Sequence, residues 1–113
     1  MVYVKTEYLE HLEVASWLRV RGIRFHHSPN ETYTTNMAAL AKNKRLGVSR
    51  GFPDLLVVTP RDGLVFIELK RTKGGKLAPE QAAWLEALGA AGCPSKTCYG
   101  AKEAIEFLQR YIP

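Results

Sequence analysis

What most constrains this chain is a pair of short apolar runs joined by a polar turn. Residues 53–60 (PDLLVVTP) are β-branched, brief and bounded by prolines, and residues 63–71 (GLVFIELKR) follow at the turn Arg61, Asp62, Gly63. Both read as strands, consecutive in the chain. Side chains alternate along a strand, so Phe66, Glu68 and Lys70 share one face while Val65, Ile67 and Leu69 share the other. Two consecutive strands bring Asp54, Glu68 and Lys70 to neighbouring positions. Carboxylates supply the hard oxygen ligands that magnesium prefers, and an ammonium can orient a water or offset charge developing on phosphate. The trio predicts a site for magnesium-assisted phosphodiester hydrolysis.

Ordinary structural chemistry accounts for each half separately. Aspartate after proline is common in turns, and Lys-Arg at a strand end is often a solvated terminus. Polarity inside an apolar strand favours the site. Glu68 lies among Val65, Phe66, Ile67 and Leu69, and a buried carboxylate without a partner is costly. A metal explains it, and so does an internal Glu68–Lys70 ion pair.

At 113 residues the chain predicts one domain, spanning 1–113, with a single core. Hydrophobic residues at 46% and charged residues at 24% suit a soluble globular protein. No apolar stretch approaches the roughly 20 residues of a membrane helix. The opening MVYVKTEYLEHLE lacks the apolar block of a signal peptide, so a cytoplasmic location is the expectation. Net charge is +5 with a pI of about 9.4, which suits a polyanionic partner. The charge is concentrated. Lys42, Lys44, Arg45, Arg50, Arg61, Lys70, Arg71, Lys73 and Lys76 face only Asp54, Asp62 and Glu68 between residues 42 and 76. These cations surround the expected site, where they can contact DNA phosphates; a solvated basic surface is the plainer alternative. Cys93 and Cys98 lack a nearby histidine and a secretory context, so both read as small, partly buried residues rather than a disulfide or zinc site.

Residues 5–21 carry a helical stripe of Leu9, Leu12, Ala15 and Leu18, with Thr6 as cap and Gly22 as stop. Residues 23–27 alternate like a strand. Residues 34–46 read as a second helix ending at Gly47, and a third begins near Pro79. Residues 97–99 form a short final strand, and a closing helix from Ala101 turns Ala104, Ile105, Leu108 and Ile112 inward. The expected order is αβαββαβα.

The pair PD…ELK resembles the PD-(D/E)XK nuclease superfamily. Its flanks resemble the VRR-NUC domain: His27-Ser28-Pro29-Asn30-Glu31, Arg50-Gly51-Phe52-Pro53-Asp54, Glu68-Leu69-Lys70, and Gln81 downstream. The opening helix, with Glu7, Trp17 and the closing Gly22, matches as well, so the likeness spans almost the whole chain as a small standalone member. The resemblance implies an α/β, restriction-endonuclease-like core: a mixed four-stranded sheet flanked by helices. It also implies divalent-metal-dependent cleavage of branched or flapped DNA, with standalone members resembling junction-resolving enzymes. Two departures stand out. The Val-Arg-Arg run is Val48-Ser49-Arg50 here, and His11 occupies a helix position where the family often has glutamine; neither alters the Asp54–Glu68 pair.

Asp54 and Glu68 are thus the expected principal ligands for Mg2+ or Mn2+, with the Leu69 backbone carbonyl a third. Lys70 positions water or neutralises charge on the phosphate. Glu7 is the expected helix-borne carboxylate at the metal or its water shell, with Glu10 as the substitute; both also read as solvated helix charges. Gln81, in the first turn of the third helix, can hydrogen-bond a scissile phosphate or a ligand carboxylate. Arg50, Gly51, Lys44, Arg45, Lys73, Lys76 and Asn30 are the expected DNA contacts, glycine allowing close backbone approach. Asn30 and Glu31 are also ordinary turn residues. His26 and His27 read as strand surface or satisfied core groups, because a magnesium site does not require imidazole. Trp17 and Trp84 read as core or dimer contacts. The leading expectation is a metal-dependent, structure-selective DNA endonuclease working by direct attack of water on phosphorus. Cutting two strands symmetrically with one site per chain calls for a homodimer. A non-catalytic DNA- or junction-binding module on the same fold is the alternative, and a membrane partner is not expected.

Overall fold

Side-chain caps and glycine stops bracket the first two helices. The computed structural model describes residues 5–28 and 36–113, so Asn30, Glu31 and the first residues of the expected second helix lie outside the described residues. Helix α1 (Glu7–Val20) starts at Thr6, whose hydroxyl accepts from the Leu9 N–H at 3.2 Å, and stops before Gly22 at φ +66°. Its inward stripe differs from the expected one. Glu10, Val14 and Leu18 are buried, whereas Leu12 is 43% exposed. The i, i+4, i+8 spacing still holds, but it runs through a glutamate. A hydrophobicity pattern puts Glu10 outside; the hydrogen bonds described below let it sit inside.

Strand β1 (Phe25–His27) is followed by helix α2 (Met37–Arg45), capped by the Asn36 side chain, which accepts from the N–H groups of Ala38 and Ala39. Helix α2 buries no residue. Strands β2 (Leu55–Val58) and β3 (Leu64–Lys70) form the expected hairpin. At its turn the Thr59 N–H and hydroxyl both donate to the Gly63 carbonyl, and the hydroxyl accepts from the Asp62 N–H. Helix α3 (Pro79–Ala90), strand β4 (Ser95–Tyr99) and helix α4 (Ala101–Leu108) complete the order.

The sheet order is β1-β2-β3-β4, antiparallel at the first two pairings and parallel at the third. A parallel pair needs a crossover, and α3 supplies it. Val65, Ile67 and Leu69 of β3 join Leu55, Val57 and Cys98 against Val14 and Leu18 of α1 and Ala104, Phe107 and Leu108 of α4. This face is the core, and each fully buried aliphatic side chain contributes about 1.5–3 kcal/mol. The opposite face carries Phe66, Glu68 and Lys70 and lies toward α3. Phe52 bridges the two, edge-on to Phe66 at 5.8 Å and to Trp84 at 5.1 Å. Cys98 is fully buried rather than partly so, and burial pushes its thiol up to about 12; Cys93 is half-buried, and both are free. Among the described residues, no helix is long and apolar enough to cross a membrane.

Candidate active site

Strand register sets the centre of the site. Leu55 lies opposite Ile67 and Leu56 opposite Phe66, so one step back places Asp54 across from Glu68. Asp54 is held at both ends of its residue: its carbonyl accepts from the Ser28 N–H at 2.8 Å, and its Oδ2 accepts from the Leu69 N–H at 2.9 Å. The preceding Pro53 is buried and fixes the chain's entry. Leu69 therefore meets Asp54 through its amide.

Glu68 is 1% exposed. Lys70 Nζ lies 3.6 Å from its Oε2, an ion pair beyond hydrogen-bonding distance, and Oε1 is buried with no hydrogen-bond partner among the described residues. Burial, and then the neighbouring Asp54 carboxylate, push the Glu68 carboxyl up to about 9 against the pull of Lys70. The ion pair thus accounts for one oxygen of Glu68 and leaves the other. Two adjoining carboxyl groups, one with a buried oxygen that has no hydrogen-bond partner among the described residues, make an all-oxygen donor set that suits a hard divalent cation once both are ionised.

The end of β3 is braced. A Cβ added at Gly75 would lie 2.8 Å from Lys70 Cβ, so the loop backbone packs directly on the lysine stem, and the Gly100 N–H donates to the Lys70 carbonyl at 2.8 Å. The same loop carries Lys73 and Lys76, both exposed. Lys44 and Arg45 are exposed on α2, and Arg50 is exposed just ahead of Phe52.

Two expected contacts take a different form. Gly51, at φ +87°, has no room for a Cβ, which would fall 2.6 to 2.8 Å from the backbone of Glu80 and Gln81. Its smallness serves the seating of α3 against the 50–53 loop. Gln81 turns its side-chain carbonyl back to accept from the Ala78 N–H at 2.8 Å, closing the helix start and leaving its amide nitrogen for a ligand.

The opening helix divides its carboxylates. Glu10, the substitute ligand, is turned away from the pair: its Oε2 accepts from the Thr72 hydroxyl at 2.8 Å, its Oε1 from the Ala101 N–H at 3.2 Å, and Lys5 Nζ lies 3.2 Å away. It therefore ties α1 to the start of α4 and to the loop after β3. A Cβ at Gly100, at φ +94°, would strike the Thr72 hydroxyl at 2.6 Å, so this network requires glycine there. Glu13 pairs with Lys5 at the surface. Glu7 is half-exposed and meets His11, with its Oε1 3.9 Å from His11 Nε2.

His26 and His27 are exposed on β1, as expected of strand surface, but the sequence did not announce that His11 and His27 meet beside Asp54. His11 Nε2 lies 3.8 Å from Asp54 Oδ2, so the departure at position 11 does reach the carboxylate pair. His27 stacks on His11 with ring centroids 4.3 Å apart and planes 13° from parallel. Their one available signal was the i, i+4 spacing of Glu7 and His11. Trp17 packs on the core beneath Arg21, whose guanidinium sits 3.9 Å from the ring centre.

Known proteins bear on this geometry. A family model described as the VRR-NUC domain matches residues 6–102. A solved structure titled "VRR_NUC domain protein" superposes with a TM-score of 0.79 at 27% identity, covering 98% of this chain and 91% of that one. A second, titled "VRR_NUC domain", superposes at 0.65 with 20% identity, covering 93% and 96%, and speaks for the fold alone. Among curated proteins none matches significantly. With the sheet, the flanking helices and a family match reaching from the α1 cap into α4, the chain belongs to the VRR-NUC domain family, a family of nuclease-type, DNA-processing function.

Proposed function

We propose that this protein is a Mg2+- or Mn2+-dependent endonuclease that hydrolyses phosphodiester bonds in branched DNA, four-way junctions foremost. The observation that carries this reading is the buried Asp54–Glu68 pair with Lys70 beside it and Glu68 Oε1 without a hydrogen-bond partner among the described residues. Asp54, Glu68 and the Leu69 carbonyl hold the cation, which when bound supplies Lewis acidity toward the phosphate and the attacking water. Lys70, its stem braced by Gly75, presents an ammonium that orients water or offsets charge on the phosphate. Gln81, whose side-chain oxygen accepts from Ala78, donates its amide hydrogens to a phosphate oxygen. Glu7 acts from the exposed edge, through His11 or the water shell. Arg50, Lys44, Arg45, Lys73 and Lys76 contact backbone phosphates and set affinity rather than sequence preference. With one site in each chain, paired cuts across a junction require two copies, so the working form is a homodimer.

Cleavage of labelled four-way junction, flap and linear duplex DNA, with magnesium, manganese or EDTA, tests this reading. The expected result is metal-dependent cutting of branched DNA that Lys70→Ala abolishes while DNA binding persists. Binding without cutting under every metal would make the protein a binding module.

A further inference from the structure

Three elements separated in sequence deliver two imidazoles and a carboxylate to one place. His11 comes from the middle of α1, His27 ends β1, and Asp54 immediately precedes β2. The register of His27 with Leu55 sets that imidazole beside Asp54, and the Ser28 N–H to Asp54 carbonyl bond locks the two chain segments together. One ligand atom from each of His11, His27 and Asp54 falls within 4.8 Å of the other two. His11 is largely buried, with a side chain 12% exposed, and Asp54 is buried. His27 is exposed and opens the cluster to solvent.

We propose that His11, His27 and Asp54 form a binding site for a first-row transition-metal dication, of the zinc or cobalt kind, adjoining the carboxylate pair. The donor chemistry separates the two positions. Imidazole nitrogen suits zinc, cobalt and nickel, whereas magnesium keeps to oxygen. Two histidines and one carboxylate, with a coordination position left open, are a donor set that zinc accepts. Glu7 Oε1, 3.9 Å from His11 Nε2, adds negative potential on the same side and favours a cation there. Binding needs a local adjustment. Metal–ligand bonds of about 2.0–2.2 Å place tetrahedral donors about 3.3 Å apart, so the stacked rings must turn toward Asp54. His27 can do this, being exposed on a three-residue strand at the sheet edge. Because Asp54 is shared, an ion held here competes for a carboxylate of the proposed magnesium site, and zinc then opposes magnesium-supported cleavage.

The test is a binding titration without DNA, so it stands apart from whether the protein cleaves. Cobalt(II) is titrated into the metal-free full chain and followed by its visible ligand-field absorption, then displaced with zinc. Wild type, His27→Asn, His11→Gln and Glu68→Gln are compared, each first shown to unfold at the wild-type temperature without metal. Wild type should bind one cobalt ion that excess magnesium does not displace. His27→Asn and His11→Gln should each weaken binding by at least about tenfold, because losing a ligand costs no less than losing its outer-shell partner. Glu68→Gln, which keeps all three donors, should bind cobalt as wild type does. His27→Asn alone carries the test should His11→Gln not fold. The proposal is overturned if wild type forms no cobalt complex, or if binding survives His27→Asn but is lost in Glu68→Gln.

Discussion

A carboxylate 1% exposed inside an apolar strand opposes folding until something positive completes it. At Glu68 the Lys70 ammonium does so for one oxygen, and the carboxyl is otherwise held toward its protonated form by burial and by Asp54. Glu68→Gln keeps the shape and removes the capacity to ionise. We expect cleavage to fall by at least about 10²-fold while the metal-free unfolding midpoint stays level or rises. Added magnesium should raise the midpoint of wild type and not of the variant. A marked loss of stability in metal-free buffer would instead make Glu68 a structural residue. The same separation applies to Lys70, whose stem is packed by the Gly75 backbone. Gly75→Ala should displace the ammonium and lower the cleavage rate with little change in DNA affinity, measured as a turnover number against a binding constant.

At the scale of elements, one glycine and one glutamate hold helices in place. Gly51 seats α3, and its positive φ combines with a backbone clash for any Cβ; Gly22 has the same sign of φ but nothing within 4 Å. Gly51→Ala should therefore destabilise by about 1–3 kcal/mol and exceed Gly22→Ala, as read from urea midpoints. Glu10 fastens α1 to α4. Burial acts to raise its carboxyl, but the Thr72 hydroxyl, the Ala101 amide and Lys5 together hold it below the ordinary value. A lowered folded value means the stabilisation is present above the unfolded carboxylate range and is lost as pH falls through the folded value. Glu10→Gln should then be less stable than wild type by about 1–3 kcal/mol near neutrality, with the gap closing in acid. A gap that stayed constant across that range would mean packing, not charge, is what Glu10 contributes.

At the scale of the whole molecule, the net charge of +5 and the exposed cations on α2 and the 72–76 loop make DNA affinity a function of salt. Lys73→Ala and Lys76→Ala should each weaken binding alike for every sequence and lower the slope of log affinity against log salt by about one. An unchanged slope would remove these lysines from the interface. Helix α2 buries nothing, so its Lys44 and Arg45 are free of any packing duty, and exchanging them should alter binding without altering the unfolding midpoint.

Much of the fold is legible in the chain alone. Alternation and a polar turn specify the β2–β3 hairpin, and a hairpin's register makes Asp54 and Glu68 neighbours without help from elsewhere, because strand geometry is local and side chains repeat every two residues. Caps and glycine stops likewise mark the helices. What the sequence alone leaves open is set by groups distant in the chain. Glu10 turns inward only because Thr72 and Ala101 are there to satisfy it, and Gly51 is small because of α3. The approach of His11 and His27 to Asp54 belongs to the same kind. No periodicity encodes these meetings; they exist only once the sheet and helices have packed, since long-range contacts depend on how elements are placed and not on what each prefers by itself.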